Sequence, residues 1–449
     1  MSHLLPRARF AWAAAAALGL SAPAAAQDVA FEQYSLKNGM NVILMPDHSL
    51  PQVVVNIWYG VGAKDELVGR TGFAHLFEHL MFMGTTRLPG AGFDEKMEAV
   101  GGWNNAWTSE DATDYFDVGP AHILPLFLWM EADRMDGLDG AMTKEKVDKQ
   151  RDVVRNERRQ SYEDAPYGEG WLVLPELLYP PGHPYAHSVI GSHADLEAAS
   201  VDDVVSFFNR WYVPNNASLV IAGDFEPAQI KPQVEQLFGG LEPRPLPTRI
   251  PAPAPDKPQK ALVEVRDQVD LPKTMLVWHS PAALQPGDAA MEFVADILGA
   301  GRASRLHRAL VEDKRLATEA SAAQYGQLHS GIFMIEALPA EGGGLQAVED
   351  AVMAEIQRLA TEGPTPDELE RTRNQRALTM LQGLESLQDR ATMLNRYHYH
   401  VGRPDFLATH LAAYTAVDAA AVKAAAATLN VERRAVVRVL PEPAAAGGN

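Results

Sequence analysis

The chain is 449 residues long with 47% hydrophobic and 22% charged residues, long enough for two or three domains with full cores and too apolar to stay disordered. Asp and Glu number 58 against 39 Lys and Arg, a formal charge of −19, so a phosphate backbone would be repelled and nucleic acid is not an expected partner. Cysteine is absent, which removes disulfides, thiolate nucleophiles and Cys-ligated metal and leaves His and carboxylates as the metal donors.

Residues 1–26 have the layout of a secretory signal peptide: Arg7 and Arg9, an apolar run from Phe10 to Leu20, and Ala24-Ala25-Ala26 before Gln27. That run is well short of the roughly 20 residues a spanning helix needs. The expectation is cleavage, a periplasmic or secreted protein, and no membrane span afterwards. Alternating or apolar stretches at Met40 to Met45, Val53 to Tyr59, Asn216 to Ala222 and Thr274 to Trp278 read as strands. Helices are expected near Ala74 to Met83, Lys144 to Gln160, Val201 to Trp211, Gly287 to Leu298, Ala347 to Thr361 and Pro366 to Val401. The stretch 241–260 holds seven prolines, which favour an extended, semi-rigid linker. It divides the mature chain into residues 27–240 and 261–440, and a Leu-Pro pair before a strand in each half hints at duplication. The fold class expected is α+β with two similar domains, followed by a disordered tail at 441–449.

The chemistry concentrates in Thr71 to Gly84, TGFAHLFEHLMFMG. Thr71 is available as N-cap and Gly84 can end the helix. His75 and His79 are four apart, so both imidazoles project from one helical face within reach of a single cation. Glu78 stands beside them, where a general base belongs. The H-x-x-E-H spacing inverts the commoner H-E-x-x-H, and two His and a Glu in so apolar a helix are costly unless a metal or partner satisfies them.

A catalytic zinc needs a third protein ligand and an open position. In the segment from Lys144 to Asp164, Val147, Gln150, Val154, Glu157 and Ser161 recur at helical spacing, placing Glu157 on the most apolar stripe. Taken alone, the charge density there favours a different role, an ion pair with Arg151, Arg158 or Arg159 on a solvated face.

The segments GFAHLFEHLMFMGT (Gly72 to Thr85), GGWNNAWTSEDATDYF (Gly101 to Phe116), the VVRNER segment around Glu157, HPYAHSVIG (His183 to Gly191) and FFNRWYVPNNASLVIAGDF (Phe207 to Phe225) together resemble the pitrilysin/insulysin-type zinc peptidases, in the short-chain subfamily related to mitochondrial and bacterial processing peptidases. The resemblance implies one Zn2+ per chain held by His75, His79 and Glu157, with Glu78 as catalytic base. It implies a half-clamshell of two similar α+β domains that closes with a second chain around peptide substrates. It maps substrate binding by strand addition onto Asn104, Asn105, Ala106, Trp107 and Thr108; without it, that stretch is a plain turn and strand after Gly101-Gly102.

Two departures from the family pattern carry consequences. Gln150 stands where a second glutamate often supports the metal site; it can still hydrogen-bond a ligand but adds no charge. Val311 and Thr318 occupy the positions of an Arg and a Tyr that contact the substrate carbonyl. Losing one such donor typically costs about two to three orders of magnitude in rate, so the expectation is a zinc endopeptidase subunit that needs a heterodimer partner, a related chain carrying that pair. The alternative is a non-catalytic assembly or peptide-binding subunit of the same fold.

Overall fold

The computed structural model describes residues 29–443 except 91 and 254; the signal-peptide segment and residues 444–449 of the expected tail lie outside the described residues. The chain forms two sheets. The first contains β1 (Glu32–Ser35), β2 (Asn41–Pro46), β3 (Gln52–Tyr59), β4 (Trp103–Thr108), β5 (Thr113–Pro120) and β6 (Ala217–Gly223), and the second β7 (Leu262–Asp267), β8 (Lys273–Ser280), β9 (Ala317–Gly326), β10 (Gly331–Pro339) and β11 (Ala435–Pro441).

The strand orders are β1-β2-β6-β3-β5-β4 and β7-β11-β8-β10-β9. Without β1 the two are superimposable in pattern: one parallel pair, β2 with β6 and β7 with β11, followed by antiparallel neighbours throughout. This shared topology is the duplication that the repeated Leu-Pro signals hint at. Pro441 closes β11 opposite Asp267, so the strand runs past the expected start of the tail. The helix expected over Pro366 to Val401 is two, Pro366–Gly383 and Leu387–Val401, because Ser386 accepts from the Asp389 backbone N–H and starts a new helix.

β3 and β6 are buried along nearly their whole length, the continuous apolar pattern of strands covered on both faces. One face of the first sheet is covered by helices of its own half, including Phe73–Leu80. The other face is covered from across the linker: Ala391 and Leu394 of Leu387–Val401 pack against Ile43, Val54, Phe116 and Val220. The exchange is mutual, since Leu174, Leu177 and Leu178 of Gly168–Leu178 cover Met275, Val277 and Val437 of the second sheet. Each half thus completes the other's core.

Polar contacts reinforce this exchange. Asn395 donates to Asn56 Oδ1 at 2.6 Å, and Asn56 in turn donates to Asp114 at 2.8 Å. At the turn after β4, Asp111 accepts from Tyr185 Oη at 2.6 Å and from the Leu328 backbone N–H at 2.7 Å, while its carbonyl accepts from Lys64 and Tyr399. The proline-rich stretch is strapped down as well. Arg249 bonds Asp65 and lies over Trp211, and the Gln259 N–H donates to Leu177 O. Removing buried side chain at the exchange should therefore be felt by the whole chain: Leu394→Ala is expected to cost about 2–5 kcal/mol and to shift a single denaturation midpoint, whereas two separate transitions would show the halves to be independent.

Candidate metal centre and active site

The helix Phe73–Leu80 starts at Gly72, whose φ of +85° puts it in the left-handed region that favours glycine. A side chain there would also meet Ile190 O at 2.8 Å. Thr71 is therefore not the N-cap; its hydroxyl instead donates to Asp195 at 2.5 Å and accepts from the Ser192 N–H. The helix ends at Leu80, before Gly84. Its apolar residues Phe73, Leu76, Phe77 and Leu80 are buried, which turns His75, Glu78 and His79 away from the core on the remaining face.

Glu157 reaches that face from the end of helix Lys144–Arg158. Val147, Gln150 and Val154 of its stripe are buried, and the stripe surfaces at Glu157. The arginines that could have claimed Glu157 are occupied elsewhere: Arg151 pairs with Asp148, Arg158 with Glu163, and Arg159 bonds Asn156. The carboxylate instead faces the two imidazoles, Oε1 at 3.6 Å from His75 Nε2 and Oε2 at 3.3 Å from His79 Nε2. The rings stand nearly perpendicular with centroids 4.9 Å apart.

The donor atoms of His75, His79 and Glu157 all lie within 4.8 Å of one another, the only such group of three or more His and acidic residues among the described residues. Ligand atoms held tetrahedrally at about 2.0–2.2 Å from one zinc lie roughly 3.3–3.6 Å apart, which is the observed spacing of carboxylate and imidazoles. The donor set and the geometry both fit zinc. Burial lowers the His75 imidazole to about 4, with Glu157 opposing the shift, so at neutral pH it is in the neutral form that ligation requires. Hydrogen bonding to His79 holds the Glu157 carboxyl below its ordinary value.

Glu78 lies beside this cluster. Its Oε2 accepts a hydrogen bond of 2.6 Å from Thr108 Oγ1, the last residue of β4. Burial raises the Glu78 carboxyl, with the Thr108 bond and His79 pulling the other way. β4 is the edge of its sheet, so the expected strand Asn104 to Thr108 is an edge strand joined to Glu78 at its end. Asn104 bonds Asp94, Ala106 pairs with Tyr115, and Trp107 stands edge-on to Trp58 at 5.0 Å. Asn105 and Ala106 lie exposed and half-buried on that edge.

Gln150 does not reach the imidazoles; its amide nitrogen lies 2.8 Å from Met83 Sδ. Val311 is half-buried in the segment His307–Asp313, and Thr318 is exposed at the start of β9, where its hydroxyl donates to Leu338 O. Sequence reasoning missed Glu66, fully buried, whose carboxylate accepts from the Gly72 N–H at 2.9 Å and the Ala74 N–H at 2.7 Å. It also missed the clamp of Thr71 by Asp195 and Ser192. The signal available was Gly72 itself: a glycine opening an apolar helix has no side chain to cap it, so the cap must come from elsewhere.

Comparison with known proteins places this site in context. Residues 41–172 match the model of the insulinase family, peptidase M16, and residues 198–376 match that of the peptidase M16 inactive domain. A Helicobacter pylori protein named zinc protease PqqE is 28% identical over 82% of this chain and 83% of its own. Uncharacterized zinc protease YmxG of Bacillus subtilis is 23% identical over 91% of this chain and 98% of its own. The crystal structure of a protease from Helicobacter pylori superposes with a TM-score of 0.85 at 25% identity, covering 92% of this chain and 100% of that one. The periplasmic protease PqqL of Escherichia coli has the same fold at 18% identity with a TM-score of 0.74, and there this chain accounts for 91% of itself but 47% of its counterpart. With both domain models matched in order and a motif helix, edge strand and distant carboxylate converging on one face, the chain belongs to the insulinase, or M16, family of peptidases.

Proposed function

We propose that the protein is a zinc-dependent endopeptidase acting on peptides or small unfolded proteins. The observation that carries this reading is the convergence of His75, His79 and Glu157 at ligand spacing with Glu78 alongside. His75 Nε2, His79 Nε2 and the Glu157 carboxylate would hold one metal ion. When bound, zinc supplies Lewis-acid polarisation of the scissile carbonyl and makes a neighbouring water more acidic. Glu78 takes the proton of the attacking water and returns it to the leaving amine as the C–N bond breaks, giving a carboxylate and an amine. Burial raises its carboxyl, which favours taking up that proton. The Thr108 hydroxyl holds Glu78 Oε2, leaving Oε1 to carry the proton. The free edge of β4, with Asn105 and Ala106 on it, would bind substrate backbone by strand addition, which tolerates many sequences.

A partner chain supplies the rest of the reading. Val311 and Thr318 offer no donor equivalent to a guanidinium or phenol, and the fold fills less than half of the Escherichia coli periplasmic protease. We place the active unit in a pair enclosing the substrate, the second chain contributing the Arg and Tyr. The leader at 1–26 and a fold shared with a periplasmic protease support an exported protein, and no described helix is long and apolar enough to cross a membrane. Val311 and Thr318 equally favour a second reading, a peptide-binding subunit without turnover.

Hydrolysis of a fluorogenic peptide, measured for the purified chain alone and mixed with a related partner, separates the two. Expected are stoichiometric zinc, loss of hydrolysis with a chelator and its return with added zinc, and at least about a hundredfold more activity in the mixture. Metal-free protein, or no turnover in any combination, would favour the binding subunit; full activity of the isolated chain would remove the need for a partner.

A further inference from the structure

The helix that carries His75, Glu78 and His79 cannot cap its own N-terminus, because its first turn opens at Gly72 in a left-handed conformation with Ile190 O too close for any side chain. The four N–H groups of a first helical turn need outside acceptors. Here two of them are met from six residues upstream, by a carboxylate with no solvent exposure: Glu66 Oε2 accepts from Gly72 N–H and Oε1 from Ala74 N–H. Burial holds that carboxyl well above its ordinary range, although these backbone bonds oppose the rise. An isolated buried carboxylate is costly; the partial positive charge of the helix start offsets part of that cost.

The two bonds constrain different things. A single acceptor would fix the height of the helix and leave it free to turn about that bond. Two oxygens of one rigid carboxylate, on N–H groups two residues apart, fix the height and the rotation together. His75 follows Ala74 directly, and Glu78 comes one turn later, so both inherit that setting. The helix start is also held by the Gly72–Gly191 backbone contact and by Thr71 bonded to Asp195. His187 Nδ1 lies 3.6 Å from Glu66 Oε2.

We propose that Glu66 is a positioning residue for the metal centre, holding the motif helix so that His75 and Glu78 meet Glu157 and the substrate in register. The kinetic part rests on the metallopeptidase reading; the metal-binding and helix-order parts do not. The test is Glu66→Gln in the full chain, which keeps the shape but leaves one acceptor oxygen for two N–H groups and turns an NH2 toward the other. Three quantities are read: zinc affinity by competition with a chromophoric chelator, amide hydrogen exchange across 73–80, and kcat and KM on a fluorogenic peptide with the partner present.

Expected are faster exchange confined to the motif helix, a 10- to 100-fold loss of zinc affinity, as for other groups that orient ligands, and a comparable fall in kcat with KM within about threefold. Val352→Ala, in the buried core of the second half, serves as a control that lowers stability without touching the site; a merely structural Glu66 would behave like it, with zinc affinity and kcat unchanged in the folded protein. Glu66→Gln that folds and keeps zinc affinity and helix exchange within twofold of the parent overturns the proposal. Should Glu66→Gln not fold, Glu66→Asp, whose carboxylate is one methylene short of spanning both N–H groups, is read by the same criteria. A parent protein that holds zinc but cleaves nothing would defeat the peptidase reading and still leave the affinity and exchange results to decide the role of Glu66.

Discussion

Glu78→Gln is expected to retain a full equivalent of zinc while peptide hydrolysis falls by about a thousandfold, in the range general acid-base groups contribute. The substitution is isosteric and leaves His75, His79 and Glu157 untouched, so the ligand spacing of 3.3 and 3.6 Å survives. Thr108 can still donate, now to an amide oxygen, and the side chain keeps its place. What disappears is a carboxylate able to take and return a proton, in a setting where burial has raised its affinity for that proton. Elemental analysis of the dialysed protein and kcat/KM on the same peptide check both halves of the statement. A variant that turns over within tenfold of the parent would remove Glu78 as the base.

Replacing Glu157 attacks the other function of the site. Glu157→Ala is expected to weaken zinc binding by more than about a hundredfold, since even groups that only orient ligands are worth 10- to 100-fold, and hydrolysis should vanish with the metal. The two imidazoles would remain on their helix face with the third donor gone. The carboxylate is also held below its ordinary value by the bond to His79, so in the absence of metal its loss removes the partner of both rings. Zinc retained at one equivalent after dialysis would show that Glu157 is a bystander.

The candidate ligands were legible because the rules that place them are short-range. Spacing of four puts His75 and His79 on one face whatever surrounds the helix. Glu157 could be put on a stripe of its own helix, but whether it faced the two imidazoles or an arginine depended on partners outside that helix, and the answer lies in Asp148, Asn156 and Glu163 drawing the arginines away. The two-domain α+β plan and the resemblance to M16 peptidases were both readable, and the matched topology of the two sheets agrees with them. The single helix expected over Pro366 to Val401 failed because apolar periodicity continues through a break that Ser386 creates by a capping bond. Glu66 was invisible for a different reason: a carboxylate six residues before a helix fits no local capping pattern, since the chain must loop back before its oxygens reach the first turn.

The reciprocal loan of helices between the two sheets bears on how a substrate could get in. Neither half can swing away from the other without stripping Leu394 or Leu177 from the sheet it covers, so the linker at 241–260 is a strap and the chain turns as one body. In the proposed pair, any gate wide enough for a polypeptide would then lie at the seam between two such bodies, and the rate of admission would be governed by how tightly they grip each other.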